Sequence, residues 1–298
     1  MKIFKGDKKM FKLSGCFTAL ITPFKDGKAD FDSLRKIVRF QTENGVSGIV
    51  PCGSTGEASS LSREEYLNVI KTAIEEAAGK TQILAGAGGN NTAATEELVR
   101  DVAALGPDAI LSVSPCYNKP TQAGLKAHFK AVAAAAGNIP VVLYNIPGRT
   151  GVNMQPDTIA ELSEIPNIIG IKEASGSLDQ VSEIIQKTDS SFSVISGDDC
   201  LTVPMMSVGA TGVISVVSNI YPHETSEMCR LAADGNFKEA AKIHHKLFPV
   251  IKALFSETNP IPVKYAAYIK GLCATPEMRL PLTAYSEEKR EWLKNILF

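Results

Sequence analysis

The sequence predicts an α/β chain folded as a (β/α)8 TIM barrel with a C-terminal helical extension, and three observations predict it. Eight short apolar, β-branched segments recur along the chain. Segments with helical periodicity lie between them, and the strand starts fall roughly 20 to 35 residues apart, the length of a βα unit. Eight such units suit a closed barrel better than an open doubly wound sheet, which spacing alone leaves as the alternative. No dinucleotide fingerprint follows the first segment, which argues against a Rossmann arrangement.

The expected strands are CFTALIT from residue 16, VSGIVPC from 46, TQILAGA from 81, DAILSVS from 108, IPVVLYN from 139, NIIGIK from 167, SFSVIS from 191 and ATGVISVV from 210. The intervening helices have recognisable ends. Ser62-x-x-Glu65 and Ser177-x-x-Gln180 are capping boxes, Pro156 suits a first turn, and Gly106 suits a stop. This divides the chain into a basic tail at 1–10, with Met10 as an alternative start, a barrel at 11–233, and a helical region at 234–298. The helical region includes FKEAAKIHHKLFPVIKALF and needs a partner for its apolar face, either the barrel or a second subunit.

Charge and composition exclude several classes. With 31 basic and 32 acidic residues the net charge is −1, so no global field favours nucleic acid or an anionic membrane. No apolar stretch reaches the roughly 18–20 residues that span a bilayer, and the N-terminal segment lacks a signal-peptide core. Cys16, Cys52, Cys116, Cys200, Cys229 and Cys273 are scattered without a Cys-x-x-Cys pair, as expected of idle thiols in a reducing cytoplasm. Four histidines lack paired ligand spacing, so no metal or other cofactor is expected.

The chemistry gathers at the expected C-terminal strand ends, where barrels place their sites. Lys172 closes the apolar run Ile168-Ile169-Gly170-Ile171. Burial there depresses an amine pKa, and a neutral amine can attack a carbonyl to form a Schiff base; the bland reading is a lysine snorkelling off the strand or pairing with Glu173. After the second strand, Gly53-Ser54-Thr55-Gly56-Glu57 offers two hydroxyls and a tight turn suited to a small carboxylate, or simply a polar βα turn. Tyr117 and Tyr144 end the fourth and fifth strands, where hydrogen-bonded phenols can pass protons. Arg149, in Pro147-Gly148-Arg149-Thr150-Gly151, is a candidate carboxylate clamp or a solvated turn arginine. Asp198 and Asp199 look like a metal pair, but no histidine or further acid joins them, so a structural loop role is expected.

In this order and spacing, G-S-T-G-E, Y-N-x-P-x-R-T-G, G-I-K-E-A-S-G, S-G-D-D and N-P-I-P-V-K resemble the pyruvate-dependent class I aldolase family, from about Ser14 onward. The resemblance implies a cytoplasmic enzyme of lysine and diaminopimelate biosynthesis that condenses pyruvate with L-aspartate 4-semialdehyde through an imine on Lys172. It implies Tyr144 as proton donor and acceptor, with Ser54 and Tyr117 completing a hydroxyl relay. Thr55 is expected to bind the pyruvate carboxylate, Ile214 to meet pyruvate through its backbone, and Arg149 to receive the aldehyde's carboxylate. It also implies a homotetramer, a dimer of tight dimers, with Tyr117 reaching into a neighbouring site. Ser54 departs from the family's threonine, keeping the hydroxyl while losing the methyl that restricts its rotamer. A retro-aldolase acting on N-acetylneuraminate or a 2-keto-3-deoxy sugar acid is the alternative, opposed by Arg149, and an idle keto-acid sensor is a third reading, opposed by the intact lysine and hydroxyls. Many relatives bind L-lysine in an interface cleft. Asn90 matches its asparagine, but Ala94 stands at its glutamate, Cys116 at its tyrosine, and Arg63 and Tyr66 at histidines, so insensitivity to lysine is expected.

Overall fold

A computed structural model describes residues 11–298; the expected tail at 1–10 lies outside the described residues. Eight parallel strands close into a barrel: β1 Gly15–Ala19, β2 Gly48–Val50, β3 Gln82–Gly86, β4 Ala109–Val113, β5 Val141–Asn145, β6 Ile168–Glu173, β7 Ser193–Ser196 and β8 Gly212–Ser215. Each pairs with its neighbours in sequence, and β8 pairs with β1 to complete the ring. Closure leaves the eight-stranded sheet without an edge, so the open-sheet alternative falls.

Both faces of each strand are buried, because helices cover the outside and side chains fill the inside. Phe17, Ala19, Val50, Leu84, Leu111, Val142, Tyr144, Ile195 and Ile214 form the interior cluster, while their sequence neighbours Val141, Leu143, Ile171, Val194 and Val213 belong to the layer under the helices. This is why the strands read as continuous apolar runs rather than alternating ones. Gly48 is required by the filling: a Cβ there would sit 2.1 Å from the Phe17 ring.

The helices α1 Phe31–Glu43, α2 Arg63–Ala77, α3 Thr92–Ala104, α4 Gln122–Ala136, α5 Pro156–Ser163, α6 Leu178–Lys187, α7 Thr202–Ser207 and α8 Pro222–Ala233 follow their strands around the ring. In α1 the buried Leu34, Ile37, Val38 and Gln41 repeat at helical spacing on one face. Ser62 and Glu65 form the expected reciprocal cap of α2, and Pro156 starts α5. Ser177 caps α6, but Gln180 does not reach back; its side chain turns inward instead. A two-stranded ribbon, Phe24–Lys25 with Lys28–Ala29, and a short helix at Pro147–Thr150 add to the expected elements.

Three further helices follow: α9 Phe237–Leu254, α10 Ile261–Ile269 and α11 Glu287–Leu297. α9 buries Ala240, Leu247, Val250, Ile251 and Leu254 against the barrel's own helices, so the apolar face of the extension finds its partner within the chain. The segment joining α9 to α10 reaches the C-terminal ends of β2 and β5, where it contacts Thr55 and Arg149. Among the described residues no helix is long and apolar enough to cross a membrane.

Candidate active site

Register places Val113, Tyr144, Lys172 and Ile195 side by side across four adjacent strands. Lys172 points into the barrel, is 7% exposed, and holds its Nζ 4.1 Å from the centre of the Tyr144 ring. Gly197 leaves room for it, since a Cβ there would lie 3.0 Å from Lys172 Cε. Ile214 closes the same interior and is 1% exposed.

Desolvation brings Lys172 down to about 7; Asp199 opposes that fall and the Arg149 guanidinium assists it. A substantial fraction of the amine is therefore neutral near neutral pH. Burial likewise pushes the Tyr144 phenol up to about 12, Arg149 pulling the other way, so it stays protonated through that range. One side chain is an available nucleophile and the other an available acid.

The pairing of Lys172 with Glu173 does not occur. Glu173 points outward, where Oε1 accepts from Ser175 N at 2.6 Å and Oε2 accepts from Asn145 Nδ2 at 3.0 Å and Gln180 Nε2 at 3.2 Å. Asn153 completes this network through Asn145 and Gln180. It ties the top of β5 to that of β6 and fixes the backbone that carries Tyr144 and Lys172. Gln180 is thus engaged here rather than in a capping box.

At the end of β2, Ser54–Gly56 forms one 3-10 turn. Ser54 is exposed and Thr55 is buried. Thr55 Oγ1 accepts from Asn259 Nδ2 at 2.9 Å, and the Asn259 carbonyl accepts from Arg149 Nη2 at 3.0 Å. Glu57, in left-handed backbone at φ 51°, anchors the turn by a fully buried ion pair with Lys264. Lys264 also donates to the Glu277 carbonyl, and Arg279 N donates to Glu57 Oε2. Arg149 itself is an exposed residue of the Pro147–Thr150 helix.

Tyr117 alone stands apart. Its backbone is left-handed at φ 71°, its N–H donates to the Thr150 carbonyl, and its ring is 89% exposed. Within one chain the phenol projects away from the protein. A β-strand-end aromatic held outward by unfavourable backbone is a costly arrangement that a neighbouring surface can justify.

The acidic pair has the structural place expected of it. Asp198 Oδ1 accepts from Cys200 N, and Asp199 Oδ2 accepts from Val216 N and Val217 N, fixing the turn after β8. Among the described residues no three His, Cys, Asp or Glu gather where they could hold a metal ion. A surface depression lined by Lys130, Ala134, Gly137 and Asn167 lies at the opposite, N-terminal ends of β5 and β6, and carries none of these groups.

Sequence reasoning did not give roles to Asn259, Glu57 and Lys264. The motif N-P-I-P-V-K was the available signal, but its contacts span more than two hundred positions, 204 for Asn259 with Thr55 and 207 for Lys264 with Glu57.

Comparison with known proteins decides the family. The model of the dihydrodipicolinate synthetase family matches residues 12–298. The chain belongs to the dihydrodipicolinate synthetase family. A relative from Pelobacter propionicus named 4-hydroxy-tetrahydrodipicolinate synthase is 50% identical over 284 residues, covering 95% of this chain and 97% of that protein. The crystal structure of the family member from Aquifex aeolicus superposes with a TM-score of 0.93 at 46% identity, covering 96% of this chain and 97% of that one. A chloride-inhibited family member from Acinetobacter baumannii, solved in complex with pyruvate, matches with a TM-score of 0.93 at 44% identity, covering 96% and 98%. Family membership makes the chain a lyase of the aldolase type and sets aside the sugar-acid lyase alternative.

Proposed function

We propose that the chain condenses pyruvate with L-aspartate 4-semialdehyde, the 4-hydroxy-tetrahydrodipicolinate synthase reaction of lysine and diaminopimelate biosynthesis. The observation that carries this is a buried lysine, shifted to about 7, lying against a protonated tyrosine inside the mouth of the barrel. Neutral Lys172 Nζ attacks the pyruvate ketone. Tyr144 supplies a proton to the departing hydroxyl and water leaves, giving a protonated imine. Loss of a methyl proton then yields an enamine, a carbon nucleophile that adds to the aldehyde. The amino group of the adduct attacks the imine carbon, closes the ring and releases Lys172.

The other residues bind and orient. The Thr55 hydroxyl holds the pyruvate carboxylate, Ile214 borders bound pyruvate with its backbone, and the Arg149 guanidinium receives the aldehyde's carboxylate at the entrance. Ser54 and Tyr117 relay protons to Tyr144, the latter from a neighbouring subunit of a homotetramer built as a dimer of dimers. The imine on Lys172 serves as the electron sink, and the cytoplasm is the place of action.

Borohydride added with pyruvate should fix a pyruvate-sized adduct on the peptide containing Lys172, and Lys172→Ala should lose both adduct and turnover. Ring-closing turnover should appear with aspartate semialdehyde and not with N-acetylmannosamine. An adduct on a different lysine, or turnover with N-acetylmannosamine alone, would overturn this assignment.

A further inference from the structure

The segment Asn259-Pro260-Ile261-Pro262-Val263-Lys264 belongs to the helical extension, yet two of its side chains end in the carboxylate loop of β2. Asn259 is 6% exposed. Its Nδ2 donates to Thr55 Oγ1 at 2.9 Å, while its carbonyl holds Arg149 Nη2 at 3.0 Å. Its Oδ1 is buried without a donor among the described residues.

We propose that Asn259 is a positioning residue for pyruvate recognition, holding the Thr55 hydroxyl as a hydrogen-bond donor toward the substrate carboxylate. This rests on the function proposed above. A hydroxyl has one proton and two lone pairs, and an amide N–H can only donate. Asn259 therefore occupies a lone pair of Thr55 and leaves its single proton for an acceptor elsewhere. In the opposite amide orientation Oδ1 would take that proton and leave Thr55 none for the substrate. The Lys264–Glu57 pair immobilises the other end of the same turn, so the hydroxyl is held in direction as well as in place. Because Arg149 is held by the Asn259 backbone, changing the side chain separates the two functions: the pyruvate half-reaction suffers, and aldehyde recognition is largely kept.

The test is the pyruvate concentration needed for half-maximal borohydride trapping on Lys172, read by mass spectrometry in the full chain. Asn259→Ala should raise it about 10- to 100-fold, the worth of one hydrogen bond to a charged group. Asn259→Asp should raise it further, since a carboxylate would accept the Thr55 proton and repel pyruvate. Trapping of hydroxyacetone, a ketone without the carboxylate, should need the same concentration in all three proteins. In a Thr55→Val background, Asn259→Ala should add nothing. Parental pyruvate trapping by folded Asn259→Ala overturns the role, as does an equal loss with hydroxyacetone or full additivity with Thr55→Val. If Asn259→Ala gives no cooperative melt, the isosteric Asn259→Asp decides by the same readouts. Failure of the unaltered chain to trap pyruvate overturns the proposed function itself, and this role with it.

Discussion

Tyr144 and Lys172 stand opposite each other on adjacent parallel strands, the lysine Nζ 4.1 Å from the centre of the phenol ring. The lysine thus faces an apolar ring inside the barrel, with its neighbour Glu173 turned outward into a separate network. That environment lowers one pKa and raises the other, which makes the pair's pH behaviour testable.

The rate of imine formation with pyruvate should rise with pH through about 7 and then level, following neutral Lys172. No falling limb from Tyr144 is expected below about 10, its phenol being pushed up to about 12. The same shift acts on stability. From about 7 to 10.5 the unfolded chain binds more protons at this site, so the penalty of burying Lys172 is full below about 7 and relieved as pH rises. The melting-temperature advantage of Lys172→Met over the parent should therefore be greatest in acid and shrink toward pH 10. A pH-independent advantage would contradict a depressed amine.

Arg149→Ala should lower kcat/KM for aspartate semialdehyde by about 10- to 100-fold, the loss of a charge-assisted contact. It also removes a cation that disfavours the ammonium form of Lys172, so the midpoint for imine formation should move upward. Steady-state kinetics and pH-resolved trapping check the two effects separately. Equal damage to both half-reactions at every pH would assign Arg149 to the fold instead.

Mixing inactive Tyr117→Phe and Lys172→Ala subunits should recover part of the activity, because one kind of subunit keeps a usable phenol and the other a usable amine. The motive is the outward ring, 89% exposed in a single chain. Full activity in a monomer verified by sedimentation would contradict the shared site.

Lys264→Met should destabilise the chain by about 3–5 kcal/mol, because it strands the Glu57 carboxylate in a site with no exposed side-chain area. The double variant Glu57→Gln with Lys264→Met should regain part of that loss. Denaturant titration of the singles and the double provides the cycle, and strict additivity would show the pair to be uncoupled.

L-Lysine should not inhibit at tens of millimolar with saturating pyruvate. Arg63 is engaged by Asp101 at 2.7 Å, and Tyr66 is buried with its hydroxyl donating to the Gly86 carbonyl. Of the two acids that could replace the missing glutamate at Ala94, Glu96 pairs with Arg100 and Glu97 is exposed. Inhibition at sub-millimolar lysine in a dose–response would show that a cleft operates regardless.

The barrel was legible because each strand buries two faces and so appears as an apolar run. The ribbon at Phe24–Ala29 was not, since two-residue strands carry no periodic signal. Lys172, Thr55 and Tyr144 could be picked out at strand ends, where polar residues interrupt apolar runs. The inward turn of Gln180 could not, because its contacts with Asn153 and Glu173 depend on how β5 and β6 align. For the same reason N-P-I-P-V-K showed itself as a motif without showing its contacts. Local pattern encodes which face a residue takes, and only closure of the ring decides what it meets.

The bond between Asn259 and Thr55 also orders events in time. A chain emerging from the ribosome presents Thr55, Tyr144 and Lys172 before the residue 204 positions after Thr55 has been made. The strands can pair with their neighbours in turn, and Thr22 can already hold the Gly56 carbonyl, but the Asn259 and Lys264 contacts of the β2 loop form only when the extension docks. A segment made late is thus the one that completes an early loop of the barrel mouth.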